Sequence, residues 1–110
     1  MESAGQPSLS EAMNQLWARF LPQIEERVAV LEIAAAALAG GSLNPAQREQ
    51  ASSAAHKLAG VLGTFGLAEG TDLAREAEDY YSGNAEINPA TARRQAEVAE
   101  RLRAMVKARP

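Results

Sequence analysis

The chain is predicted to be all-α, an antiparallel four-helix bundle with a short additional N-terminal helix. Three observations predict this. Apolar residues recur at steps of three and four through most of the sequence, the signature of helices with one buried face. Asn-Pro pairs and glycines fall where helices should start and stop. No stretch alternates with the period of two that a half-buried strand requires. The composition agrees: Ala, Leu, Glu and Arg dominate and only 5% of residues are aromatic, which favours helix through intrinsic propensity. At 110 residues the chain should form one domain with a real but modest core.

Residues Met1 to Pro7 are expected to be a flexible lead, with the bundle spanning 8–108. Ser8-Leu9-Ser10-Glu11 has the spacing of a capping box. Leu9, Met13, Leu16, Trp17, Phe20 and Leu21 then mark one buried face of a short first helix, and Trp17 among them reads as core. Pro22 removes a backbone donor and disfavours the helical conformation of Leu21, so a break is predicted there. A second helix runs from about Pro22 to Ala39 with Ile24, Val28, Leu31, Ala35 and Leu38 as its seam. Gly40-Gly41 ends it by supplying a left-handed residue.

Asn44-Pro45 reads as an N-cap followed by proline in the first turn, and the third helix should reach about Phe65, with Gly66 as terminator. The fourth, from Leu67 to Gly83-Asn84, buries Leu67, Gly70, Leu73, Ala74, Ala77 and Tyr81, a narrow stripe of mostly small residues that implies close helix approach. Its other side carries Glu69, Asp72, Glu76, Glu78 and Asp79, either a carboxylate site for a cation or a solvated face. Asn88-Pro89 opens the last helix, to about Ala108, which buries Ala92, Gln95 or Ala96, Ala99, Leu102, Met105 and Val106. Arg93, Arg94, Arg101, Arg103, Lys107 and Arg109 lie in or just after it and suit its negative C-terminal dipole.

Composition excludes several function classes. With no cysteine there is no disulfide, thiolate chemistry or Cys-based zinc site, and one histidine among scattered carboxylates makes a poor transition-metal site. The net charge of −3 argues against nucleic acid as a partner, since that binding rests on Lys and Arg neutralising phosphates. No apolar run approaches the roughly 18 residues that span a bilayer, and the N-terminus lacks a signal pattern. The expectation is a cytoplasmic monomer.

The single histidine, His56, stands in the middle of the third helix. At about 100° per residue, Ala51, Ala55, Leu58, Leu62 and Phe65 cluster on one side of that helix and His56 falls roughly 150° from their centre. It should therefore face solvent, with Ser52 and Ser53 one turn earlier and Ala59, Gly60 and Gly63 within the next two turns. Glycine inside a helix costs roughly 0.5–1 kcal/mol relative to alanine. Either Gly60 and Gly63 let a neighbouring helix approach, or they clear a landing area through which a partner reaches the imidazole. In-line phosphoryl transfer needs such access.

A mid-helix histidine on a four-helix bundle, within Ala55-His56-Lys57-Leu58-Ala59-Gly60 and followed by Leu62-Gly63-Thr64-Phe65-Gly66-Leu67 and Leu73-Ala74-Arg75-Glu76-Ala77-Glu78, resembles the histidine-containing phosphotransfer (HPt) domain family. The resemblance spans about Leu16 to Val106. Leu58 and Gly60 match the apolar residue two after, and the glycine four after, the phosphorylatable histidine. Many members carry a lysine three residues after the histidine, where this chain has Ala59. The nearest cation is Lys57, about 100° around the helix from His56, which makes the chain resemble a variant with lysine directly after the histidine.

The resemblance implies a two-component phosphorelay in which Nε2 of His56 exchanges a phosphoryl group with an aspartate of a response-regulator receiver domain. Lys57, Ser52, Ser53, Gly60, Gly63 and Thr64 would contact phosphate or partner, on the exposed faces of the second and third helices. Magnesium would belong to the receiver, with no cofactor or metal on this chain, and a hybrid histidine kinase is a second expected partner. Lacking a Gly-rich nucleotide loop, the chain would be a phosphoryl carrier and co-substrate without kinase activity of its own. The competing reading is a non-phosphorylated helical adaptor that binds a receiver or another signalling protein.

Overall fold

The computed structural model describes residues 8–83 and 86–109. It contains four helices, α1 (Leu9–Ala39), α2 (Pro45–Thr64), α3 (Ala68–Ser82) and α4 (Pro89–Ala108), and no strand among the described residues. The expected lead Met1–Pro7 and the Asn84 half of the expected α3 stop lie outside the described residues. Successive helices pack side by side, and α4 returns to α1, closing a ring of four. Short connections and this neighbour order define the up-and-down bundle that the apolar spacing predicts. The envelope is 60 × 21 × 18 Å, elongated because α1 alone spans about 46 Å at 1.5 Å per residue.

The separate short first helix is corrected by the structure: α1 passes through Pro22 as one helix of 31 residues. Proline inside a helix costs about 3 kcal/mol through its missing donor and ring clash. Against that stand Trp17 on one side and Ile24, Val28 and Leu31 on the other, all buried in the same core, where each large apolar side chain contributes roughly 1.5–3 kcal/mol. Continuity therefore wins, with Pro22 itself exposed. Leu9 is a second correction. It is 81% exposed, whereas Met13, Leu16, Phe20 and Leu21 pack against the core.

The helix starts follow from their caps. Asn44 with Gln47, and Asn88 with Thr91, form reciprocal capping boxes, each followed by proline in the first turn. Ser8 Oγ accepts from the Glu11 amide at 3.1 Å. Gly66 ends α2 at φ +73°, and the Leu67 amide donates back to the Leu62 carbonyl, a reversal that favours glycine.

Side-chain size sets the spacing of α2 and α3. A Cβ on Gly70 would lie 3.0 Å from Leu62 Cδ1 and 3.4 Å from Met105 Sδ, so glycine is what lets α3 sit down on α2. Thr71 Oγ1 crosses the same seam to the Ala59 carbonyl at 3.4 Å. In α4 the open choice between Gln95 and Ala96 resolves to Gln95, which is buried, and Val98 joins the core. One end is closed by Trp17 and Phe65 packed edge to face at 5.1 Å, with the Arg109 guanidinium over both rings.

Candidate functional site

The roll of α2 is fixed by Ala51, Ala55, Leu58 and Leu62, all fully buried. That roll puts His56 outside, with its side chain 74% exposed. On α3, burial of Ala74, Ala77 and Tyr81 leaves Glu78 on the edge that faces α2. Its Oε2 lies 2.8 Å from His56 Nδ1. A carboxylate only accepts, so Nδ1 carries a proton, and in the neutral ring Nε2 then keeps its lone pair on the far side. The contact thus selects a tautomer and orients the ring.

The ring borders a groove of about 590 Å³ along the α2–α3 seam, lined also by Pro45, Arg48, Ser52, Glu78 and Tyr81. Arg48 is engaged at one end of it. Its Nη1 donates to the Tyr80 and Gly83 carbonyls at 3.4 and 3.1 Å, and its guanidinium lies over the Tyr80 ring, so it closes the C-terminal end of α3. The buried Tyr81 hydroxyl has no hydrogen-bond partner among the described residues, and burial pushes its phenol above the ordinary range.

The seven residues expected at the site do not all converge. Ser52 lines the α2–α3 groove with His56. Lys57 lines a different groove, of about 780 Å³, between α1 and α2, together with Glu26, Arg27 and Gln50, and Ser53 borders both. Gly60 and Gly63 are exposed. A Cβ on Gly60 would meet nothing within 4 Å, and one on Gly63 would make an ordinary 3.5 Å contact with Thr71 Oγ1. Close helix approach therefore does not require either glycine. The Thr64 hydroxyl donates to the Gly60 carbonyl at 3.1 Å, which occupies its proton within the helix. Ala59 is buried in the α2–α3 seam.

Glu78 is the residue that sequence reasoning placed on an acidic face without linking it to His56, from which it is 22 positions distant. The available signal was its position directly after Ala77 and three before Tyr81, on the flank of the buried stripe. Two further carboxylates of that acidic face, Glu76 and Glu69, are held by arginines of α4. Arg94 holds Glu76 through Nε at 2.6 Å and Nη2 at 2.8 Å, and Arg101 pairs with Glu69. Arg103 makes the equivalent two-pronged contact to Glu32 of α1. Hydrogen bonding to these guanidinium groups holds the Glu76 and Glu32 carboxyls below the usual carboxylate range, against the opposing effect of partial burial. These arginines tie helices together, and only Lys107 stands in the last turn of α4, where the dipole acts.

Among the described residues no three His, Cys, Asp or Glu side chains gather closely enough to hold a metal ion. Among the described residues no helix is long and apolar enough to cross a membrane.

The profile of the Hpt domain family matches residues 15–108. Protein RcaC of Microchaete diplosiphon is 36% identical over 77 residues, which cover 70% of this chain and 12% of that protein. The chain thus matches a small part of a much longer relative. No solved structure matches significantly.

Proposed function

The chain belongs to the Hpt domain family, whose members serve phosphorelays of two-component signalling and interact with receiver domains and histidine kinases, and from that premise we propose that His56 carries the phosphoryl group. The supporting observation is an imidazole 74% exposed whose Nδ1 lies 2.8 Å from a carboxylate. Nε2 is then the nucleophile, and it faces outward.

Transfer follows from this arrangement. The Nε2 lone pair attacks the phosphorus of a receiver phospho-aspartate, an N–P bond forms, and the acyl P–O bond breaks with its electron pair leaving on the aspartate oxygen. The ring gains positive charge while Nδ1 keeps its proton. Glu78 stabilises that charge as it develops, and a carboxylate already in place costs no reorganisation. Reversal returns the group to a receiver. Magnesium stays with the receiver's own acids, and this chain acts as carrier and co-substrate.

The receiver would dock over the outward faces of α1 and α2 and the edge of α3, with Ser52, Ser53, Gly60 and Gly63 close to the transferred group. As in the variant form of the family, Lys57 directly follows the histidine. Its place in the α1–α2 groove suits contact with the docked partner more than with the phosphoryl group.

The test mixes the protein with a phosphorylated receiver domain. Acid-labile, alkali-stable label is expected on the wild type and absent from His56→Gln. If several receivers bind but none leaves label, the chain is an adaptor and phosphotransfer by His56 is rejected.

A further inference from the structure

Resting on the assignment of His56 as the phosphoryl carrier, we infer that Arg75 of α3 supplies the cation that binds the phosphoryl group, the role left open by Ala59. Electrostatics creates the need. A phosphoryl group on Nε2 brings about two negative charges to a ring whose other nitrogen already faces Glu78. Asp72 and Asp79 lie on the same helix and are exposed. With no nearby cation the phosphorylated state is opposed by like charges.

The register of α2 against α3 identifies which cation can answer. Thr71 stands opposite the stretch from Ala59 to Gly63, since its Oγ1 donates to the Ala59 carbonyl and would lie 3.5 Å from a Cβ on Gly63. Glu78 stands opposite His56. The helices run antiparallel, so Arg75, between Thr71 and Glu78, falls opposite Ala59-Gly60, about one turn from the histidine. Arg75 and Glu78 are three residues apart and are neighbours on one helix face. Arg75 is exposed, and the space over Gly60 is open, with nothing within 4 Å of a Cβ built there.

Other basic groups near the seam are committed or turned away. Arg48 is bound to two carbonyls, Arg94 and Arg101 hold carboxylates of α3, and Lys57 lines the α1–α2 groove. Arg75 has no hydrogen-bond or ion-pair partner among the described residues. Its planar fork matches phosphate oxygens in a two-pronged contact. It forms hydrogen bonds only and takes no part in the N–P or P–O bond changes. The small Gly60 thus serves two ends: it admits the partner and leaves the guanidinium a path to the phosphate.

The experiment compares wild type, Arg75→Gln, Arg75→Lys and Lys57→Gln, each incubated with the same phosphorylated receiver. Helical circular dichroism should be unchanged, because Arg75 is exposed and unpaired among the described residues. Arg75→Gln is expected to slow transfer to His56 about tenfold, the scale of a hydrogen bond to a charged group. It should also move the ³¹P-detected titration of the phosphoryl group to higher pH, as loss of a cation disfavours the dianion. Arg75→Lys should recover part of both effects, and Lys57→Gln, which removes a partner contact, should leave the ³¹P titration of the phosphoryl group at its wild-type position. Wild-type rate and titration in Arg75→Gln, or the titration shift in Lys57→Gln instead, would overturn the inference. A wild type that takes no label at all rejects the carrier role of His56 and this inference with it.

Discussion

Helix α3 presents a carboxylate to each of its neighbours, and the two are received in opposite ways. Glu76 meets Arg94 of α4 through two short hydrogen bonds, and the guanidinium has a further carboxylate, Glu97, at 2.7 Å. Glu78, two residues later, meets one nitrogen of a single imidazole on α2, and the other nitrogen is left over. The α3–α4 seam therefore closes on itself, while the α2–α3 seam keeps an outward-facing valence. A permanent cation with a planar fork suits a strut. A ring with two inequivalent nitrogens suits a relay.

That contrast can be broken at several points. The largest effect is expected at the open seam: Gly60→Gln should slow transfer from a receiver by about 100-fold, the scale on which small misplacements of reacting groups act, with the helical circular dichroism unchanged. Normal exchange in this variant would remove the landing area from the account. Glu78→Ala should slow transfer about tenfold, because the hydrogen bond that selects the tautomer and steadies the charged ring is lost. Chemical denaturation of the same variant should show little change in stability, as exposed pairs contribute about 0–1 kcal/mol.

At the closed seam the signature is stability against pH. The Glu76 carboxyl is held below the ordinary carboxylate range, chiefly by its hydrogen bonds to Arg94. A depressed native value means that the contribution is present above the unfolded value of about 4.3 and is lost as pH falls through the native one. Glu76→Gln should thus flatten the acid limb of a denaturation series below about pH 4 and leave transfer untouched. Glu32→Gln should behave alike at the α1–α4 crossing, where Arg103 holds the carboxyl down. The smallest effect is Gly60→Ala, expected to raise stability by about 0.5–1 kcal/mol through helix propensity alone, since the added methyl meets nothing within 4 Å. Gly70→Ala should not gain as much, because Leu62 must give way.

The number of main helices, most of their limits and most of the core were legible in the sequence. Ile24, Val28, Leu31 and Leu38 on α1, and Ala51, Ala55, Leu58 and Leu62 on α2, lie where periodicity of 3.6 puts them. The exposure of His56 followed from the same arithmetic. Pro22 was misjudged because a local penalty is legible and the burial on both sides that outweighs it is not. Leu9 was placed inward because periodicity names a face without saying where along the helix a neighbour stops covering it.

What the sequence by itself determined is periodic: helix starts, buried stripes, and an imidazole pointing away from them, all set within about one turn of chain. What only the tertiary structure decided is relational. Glu78 reaches His56, Lys57 turns to the other groove, Arg94 takes Glu76, and Arg75 stands across from Gly60 only once α2 and α3 have settled into one register. That register depends on Gly70 seating against Leu62 and on Thr71 reaching the Ala59 carbonyl. These contacts join residues far apart in the chain, and no local rule sums them.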